Sequence, residues 1–95
     1  MMSMNVKELA ILTLLSEGEL SVKEIQEYVN ISRRNLVKTI RKLERKGYIQ
    51  EKAYVGDDVI VEITEYGMEI LYKNFVYLRG LINEMEDILC SKFDC

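Results

Sequence analysis

The residues with the most pronounced chemical character in this chain are cationic. Between positions 33 and 52 stand Arg33, Arg34, Lys38, Arg41, Lys42, Arg45, Lys46 and Lys52, opposed only by Glu44 and Glu51. That stretch carries a net +6. The rest of the chain holds five basic and fourteen acidic side chains, a net −9, so the whole sums to −3. The total argues against a polyanionic partner, but the segregation reverses the argument: a basic block in an acidic body marks a localised anion-binding surface. The residues for other chemistries are missing. There is no histidine, no nucleophile motif, no glycine loop to cradle a phosphate and no carboxylate cluster at metal-ligand spacing. The expectation is a binding protein, not an enzyme, with no cofactor and no metal. Cys90 and Cys95 make neither a disulfide framework nor a zinc site. They read as one thiol on a helix surface and one in the tail. The sharper alternative is an intersubunit disulfide or redox switch.

The basic residues need a scaffold, and the sequence announces one. Ninety-five residues make one domain with a modest core. No apolar run is long enough to span a bilayer, and no signal peptide is recognisable, so a cytoplasmic protein is expected. Asn5 with Glu8 and Ser21 with Glu24 have capping-box spacing, and each cap is bracketed by apolar residues as a hydrophobic staple requires. Ser32 and Thr64 repeat the staple, predicting helices that start near 5, 21, 32 and 64. The first, to about Ser16, is apolar on most faces, which predicts burial on more than one side. Glu19-Leu20 fits a very short strand. The second helix ends at Val29, and only Asn30 and Ile31 separate it from the next cap; so tight a turn is a helix–turn–helix.

The third helix, Ser32 to about Lys46, carries the basic block. Leu36, Ile40 and Leu43 share one face, and at 100° per residue Arg34, Lys38, Arg41 and Arg45 fall within about 40° of the opposite one. Asn35 and Lys42 lie beside them. Ile49–Tyr54 and Val59–Ile63 around Val55-Gly56-Asp57-Asp58 read as a β-hairpin. The last helix runs from Glu65 to about Ser91. Met68, Leu71, Phe75, Leu78, Ile82, Met85 and Leu89 alternate spacings of three and four, the heptad seam of a left-handed coiled coil, widened by Leu81 and Ile88. Residues 1–66 thus form a mostly α unit with a small hairpin, and 67–95 a dimerisation helix within the same compact domain.

The order α-β-α-α-β-β-α resembles the winged helix–turn–helix regulators. Residues 31–49 look like the recognition helix and following turn of MarR- and ArsR-type proteins. Ile63-Thr64-Glu65-Tyr66-Gly67 is similar to the stretch that leads from the wing into the last helix of that family, with Ile in place of Leu. The long final helix resembles archaeal winged-helix proteins that dimerise through an antiparallel coiled coil. The resemblance implies a homodimeric transcription regulator on double-stranded DNA. Lysine and arginine release counterions from the backbone, and the major groove admits one helix. The first turns of such a helix approach base edges. Arg34, Asn35 and Lys38 are therefore the expected base contacts, and Arg33, Arg41, Lys42 and Arg45 the phosphate contacts. Family wings often carry a basic tip, whereas this one has Asp57 and Asp58, which leaves Lys52 and Tyr54 as the wing contacts. Leu71, Phe75, Leu78, Ile82, Met85 and Leu89 are the expected dimer interface, with helix one as a further contributor. MarR-like dimers bind small effectors between core and dimer helices; here the apolar stripes are read as packing instead. The competing function is a winged-helix adaptor for proteins, which an acidic wing favours. RNA is a weaker variant, because the A-form major groove is too narrow to read.

Overall fold

The computed structural model describes residues 4–95. It contains α1 (Val6–Leu15), β1 (Leu20–Ser21), α2 (Val22–Tyr28), α3 (Arg33–Arg45), β2 (Ile49–Val55), β3 (Asp58–Ile63) and α4 (Glu65–Phe93). This is the expected order, with each hairpin strand one residue longer at the turn. Both capping boxes form: Asn5 and Ser21 accept the amides of Glu8 and Glu24, whose carboxylates accept the cap amides in return. Ser32 and Thr64 cap α3 and α4 with their side-chain oxygens. Three strands pair antiparallel in the order β1-β3-β2. Glu51 pairs with Val61 and Ala53 with Ile60, so Lys52 is the extra residue of a bulge.

The core lies where α1, α2 and α3 meet the sheet. Ile11, Leu12, Leu15, Ile25, Leu36, Leu43 and Val61 are fully buried in it, and Ile40 and Ile49 nearly so. The predicted inner face of α3 is therefore the buried one. Helix α3 ends in a Schellman motif. Tyr48 N–H donates to Leu43 O and Gly47 N–H to Glu44 O, with Gly47 left-handed at φ +80°.

A compact junction then sets the direction of α4. Thr64 Oγ1 donates to Gly47 O (2.6 Å) and accepts from Gly67 N–H (2.9 Å), while Thr64 N–H donates to Tyr48 O (3.0 Å). One threonine thus caps α4 and fastens it to the end of α3. At Gly67 a Cβ would stand 2.1 Å from Tyr48 O and 2.8 Å from Ile63 Cγ1, so only glycine lets helix and turn approach this closely.

The cysteines require a correction. Cys90 and Cys95 pair with each other within the chain, so they are neither separate thiols nor an intersubunit bridge. Asp94 takes the left-handed conformation (φ +56°) that ends α4 and turns the tail back, which brings the two Cα atoms to 4.8 Å. A helix ending near Ser91 puts Cys90 on its surface and Cys95 in a tail, and periodicity carries no signal for the reversal that brings them together.

Candidate nucleic-acid interface

Ser32 Oγ accepts the Asn35 amide (3.2 Å), which starts α3 immediately before its basic residues. Arg33, Arg34, Asn35, Lys38, Arg41 and Arg45 are all exposed. Among the described residues, no salt bridge occupies any of these five cations. Their stems radiate from a helix whose opposite face is clamped in the core, so the cationic surface is rigid at the backbone and open at the side chains.

Lys42 has a different position. Its Nζ lies 2.9 Å from Glu8 Oε2, and the Glu8 side chain is only 2% exposed. Burial pushes this carboxyl upward, but the Asn5 N–H donated to Oε1 and the charges of Lys42 and Lys46 outweigh it, leaving the group below the ordinary glutamate value. The contact ties the last turn of α3 to the first turn of α1. Nothing local in the sequence signals it, because the partners are 34 positions apart.

The wing is similarly self-engaged. Lys52 Nζ meets Glu19 Oε1 at 2.7 Å and Glu62 Oε1 at 4.0 Å, and Tyr54 Oη contacts the Glu51 carboxylate. The acidic tip does more than form a turn. Asp57 accepts from Lys23 Nζ (2.9 Å), and Asp58 accepts the Lys23 backbone amide (3.3 Å) in the first turn of α2. The Lys23 hydrogen bond and charge lower the Asp57 carboxyl. Burial raises that of Asp58, but hydrogen bonds from Ser21, Val59 and Lys23 bring it below the ordinary value. Asp57 and Asp58 therefore latch the wing to α2. At the wing root, burial and the neighbouring Glu51 raise the Glu44 carboxyl.

The expected interface residues of α4 fall into two groups. Leu71 is half-buried and packs on the core of its own chain, and Leu78 is also half-covered. Phe75, Ile82, Met85 and Leu89 are exposed, as are Leu81 and Ile88, with Ile82 at 57% and Ile88 at 58%. Above them Asn74 is buried, its Nδ2 donating to Ile70 O at 2.8 Å. Among the described residues no group of three or more His, Cys, Asp or Glu side chains is placed to hold a metal ion. No helix there is long and apolar enough to cross a membrane.

Comparison with known proteins agrees with this geometry. The model of the MarR family matches residues 4–58. The fold superposes on the transcriptional regulator BldR from Sulfolobus solfataricus with a TM-score of 0.81 and 29% identity, covering 92% of this chain and 64% of BldR. A transcriptional regulator homologue from Pyrococcus horikoshii matches with a TM-score of 0.75 and 29% identity, over 86% of this chain and 85% of that one. ZitR of Lactococcus lactis, a zinc-responsive MarR family member, shares the fold at a TM-score of 0.72 and 19% identity, over 96% of this chain and 64% of its own. The chain thus spans just under two thirds of the length of BldR and ZitR. No curated protein matches it in sequence.

Proposed function

The chain belongs to the MarR family, whose members are winged-helix transcription regulators and not enzymes, and on that premise we propose that it is a sequence-specific regulator that binds double-stranded DNA as a homodimer. The observation that carries the proposal is the outer face of α3. It is a row of exposed cations that form no salt bridge among the described residues, on a helix locked to the core by its other face. In this reading α3 enters the major groove. Arg34, Asn35 and Lys38 in its first turns face base edges, where Arg suits guanine and Asn adenine. Arg33, Arg41 and Arg45 hold phosphates. Lys42, Lys52 and Tyr54 contribute less, since each is already engaged by a carboxylate of its own chain. Residues 1–66 read the duplex, and 67–95 join the copies through the uncovered seam of α4. Two reading helices related by a twofold axis suit pseudo-palindromic half-sites about one helical turn apart. Such a protein works in the cytoplasm.

The adaptor reading rested on the acidic wing tip. Lys23 gives Asp57 and Asp58 a partner inside the chain, so the acidic tip weighs less toward that reading even though Asp57 stays 85% exposed. Duplex binding measured at several salt concentrations tests the proposal. Affinity falls linearly on a log–log plot, with a slope that counts the phosphates neutralised. Absence of duplex binding at low salt refutes it.

A further inference from the structure

The proposal of a homodimer leaves open how two α4 helices are set against each other, and the residues flanking the seam determine this. With Phe75, Ile82 and Leu89 at a and Leu78 and Met85 at d, one flank (position e) reads Tyr72, Arg79, Glu86 and Phe93. The other (position g) reads Leu81 and Ile88. Phe93 is the most exposed large hydrophobic residue of the described chain at 76%, and Tyr72 is 65% exposed. Arg79 and Glu86 are both exposed, and among the described residues neither forms a salt bridge. Three and four positions away from Arg79 stand Phe75, Val76, Ile82 and Asn83, none of them charged. Glu86 likewise has no charged residue among Ile82, Asn83, Leu89 and Cys90. Each ion thus stands alone on its own helix beside an apolar seam.

The antiparallel orientation is the one the resemblance implies, and within it we infer the register of α4 against α4 of a second copy that sets Arg79 against the partner's Glu86. This rests on the homodimer proposed above. Reversing one helix places like flanks together, e beside e and g beside g, while a residues face d residues. In this register Ile82 meets the partner's Met85 and Leu78 meets the partner's Leu89. On the e flank Arg79 meets the partner's Glu86, twice by symmetry, and Tyr72 meets the partner's Phe93. On the g flank Leu81 meets the partner's Ile88. The apolar residues in these pairs each gain an apolar neighbour, Phe75 meets the partner's Lys92 at the end of the overlap, and both lone ions gain opposite charges. A slip of one heptad in one direction sets Arg79 against the partner's Arg79. A slip the other way sets Glu86 against the partner's Glu86. A parallel pair puts Glu86 beside the partner's Leu81 and Arg79 beside the partner's Asn74, so it leaves both charges unanswered. The twofold axis of the chosen register passes between Asn83 and Glu84, and the overlap covers the exposed distal half of the helix. The proximal turns stay with the body of their own chain, where Leu71 already packs.

Charge reversal tests the register separately from the dimer. Sedimentation velocity on the full chain measures the dimer dissociation constant, and circular dichroism verifies the fold. Arg79→Glu and Glu86→Arg are each expected to raise that constant roughly tenfold, since two attractive pairs become repulsive. The double variant Arg79→Glu/Glu86→Arg returns it close to the parent value. A dimer that ignores both single reversals, or one the double variant fails to restore, overturns the register while leaving the homodimer standing. A parent chain that stays monomeric at high concentration overturns both.

Discussion

Helices α3 and α4 treat their apolar residues in opposite ways. On α3, Leu36, Ile40 and Leu43 are consumed by the core, and what faces outward is charge. On α4 only the first two turns or so are held by the chain. Beyond Asn74 the helix projects with Phe75, Ile82, Met85, Ile88 and Leu89 uncovered. The first helix is finished as a packing element and offers ions to a polar partner. The second is unfinished as a packing element and offers apolar surface, which a soluble chain seldom leaves open over such a length. The difference separates the two proposed contacts physically: the first should weaken steeply with salt, the second only by the small screening of its two flanking ion pairs.

Breaking the apolar side has the largest expected effect. Leu78→Glu with Ile82→Glu places four charges in a twofold seam, and the dimer dissociation constant should rise by more than about a hundredfold, given ~1.5–3 kcal/mol for each large apolar side chain buried. Sedimentation at several concentrations reads it, and an unchanged dimer would place the interface elsewhere. The joint between the two helices comes next. Gly67→Ala forces a methyl against Tyr48 O and should cost about 1–3 kcal/mol in chemical denaturation. A stability change near zero would mean that α4 shifts freely on the wing.

The polar side separates more finely. Arg34→Ala should lose about 1–3 kcal/mol of duplex affinity with the melting temperature nearly unchanged. Lys42→Ala should do the reverse, lowering stability by about 1 kcal/mol, discounted for a half-exposed ammonium, and leaving the salt slope of DNA binding as it was. A slope reduced by about one would return Lys42 to the phosphate contacts. The smallest effect concerns acid. Glu8, Asp57 and Asp58 are all held below their ordinary values, so their contribution is complete above the carboxylate range. It is lost as pH falls through the lowered values. Lys23→Ala should flatten the part of this acid dependence that belongs to the wing, and should speed amide exchange around Gly56. Unchanged exchange there would remove the latch from the account.

Much of this was legible in the chain because it is local. Caps at Asn5, Ser21, Ser32 and Thr64, the three-residue and four-residue spacings of α3 and α4, and the turn at Gly56 are all short-range signals. They fixed the element order and the outward face of α3. What escaped notice is long-range or depends on a single dihedral. Glu8 reaches Lys42 and Asp57 reaches Lys23 only because the fold closes loops of more than thirty residues, and no spacing rule anticipates such pairs. The Cys90–Cys95 link depends on one left-handed residue, Asp94. The motif Ile63–Gly67 was visible as a pattern. Its reason, a threonine bonded to Gly47 and a glycine pressed on Tyr48, was not.

The segregation of charge has a kinetic consequence. With the cations gathered on α3 and the excess of anions spread over the other elements, the molecule's charge is unevenly distributed despite its net negative sum. Near a polyanion such a body experiences a torque before it experiences net attraction. It turns α3 toward the duplex and its acidic surfaces away, so that fewer collisions arrive in the wrong orientation. Steering of this kind raises encounter rates about tenfold or more at low ionic strength and fades as salt shortens the field. An acidic protein of this design would associate quickly through one face while the rest of its surface discourages loose, misoriented adhesion to the same DNA.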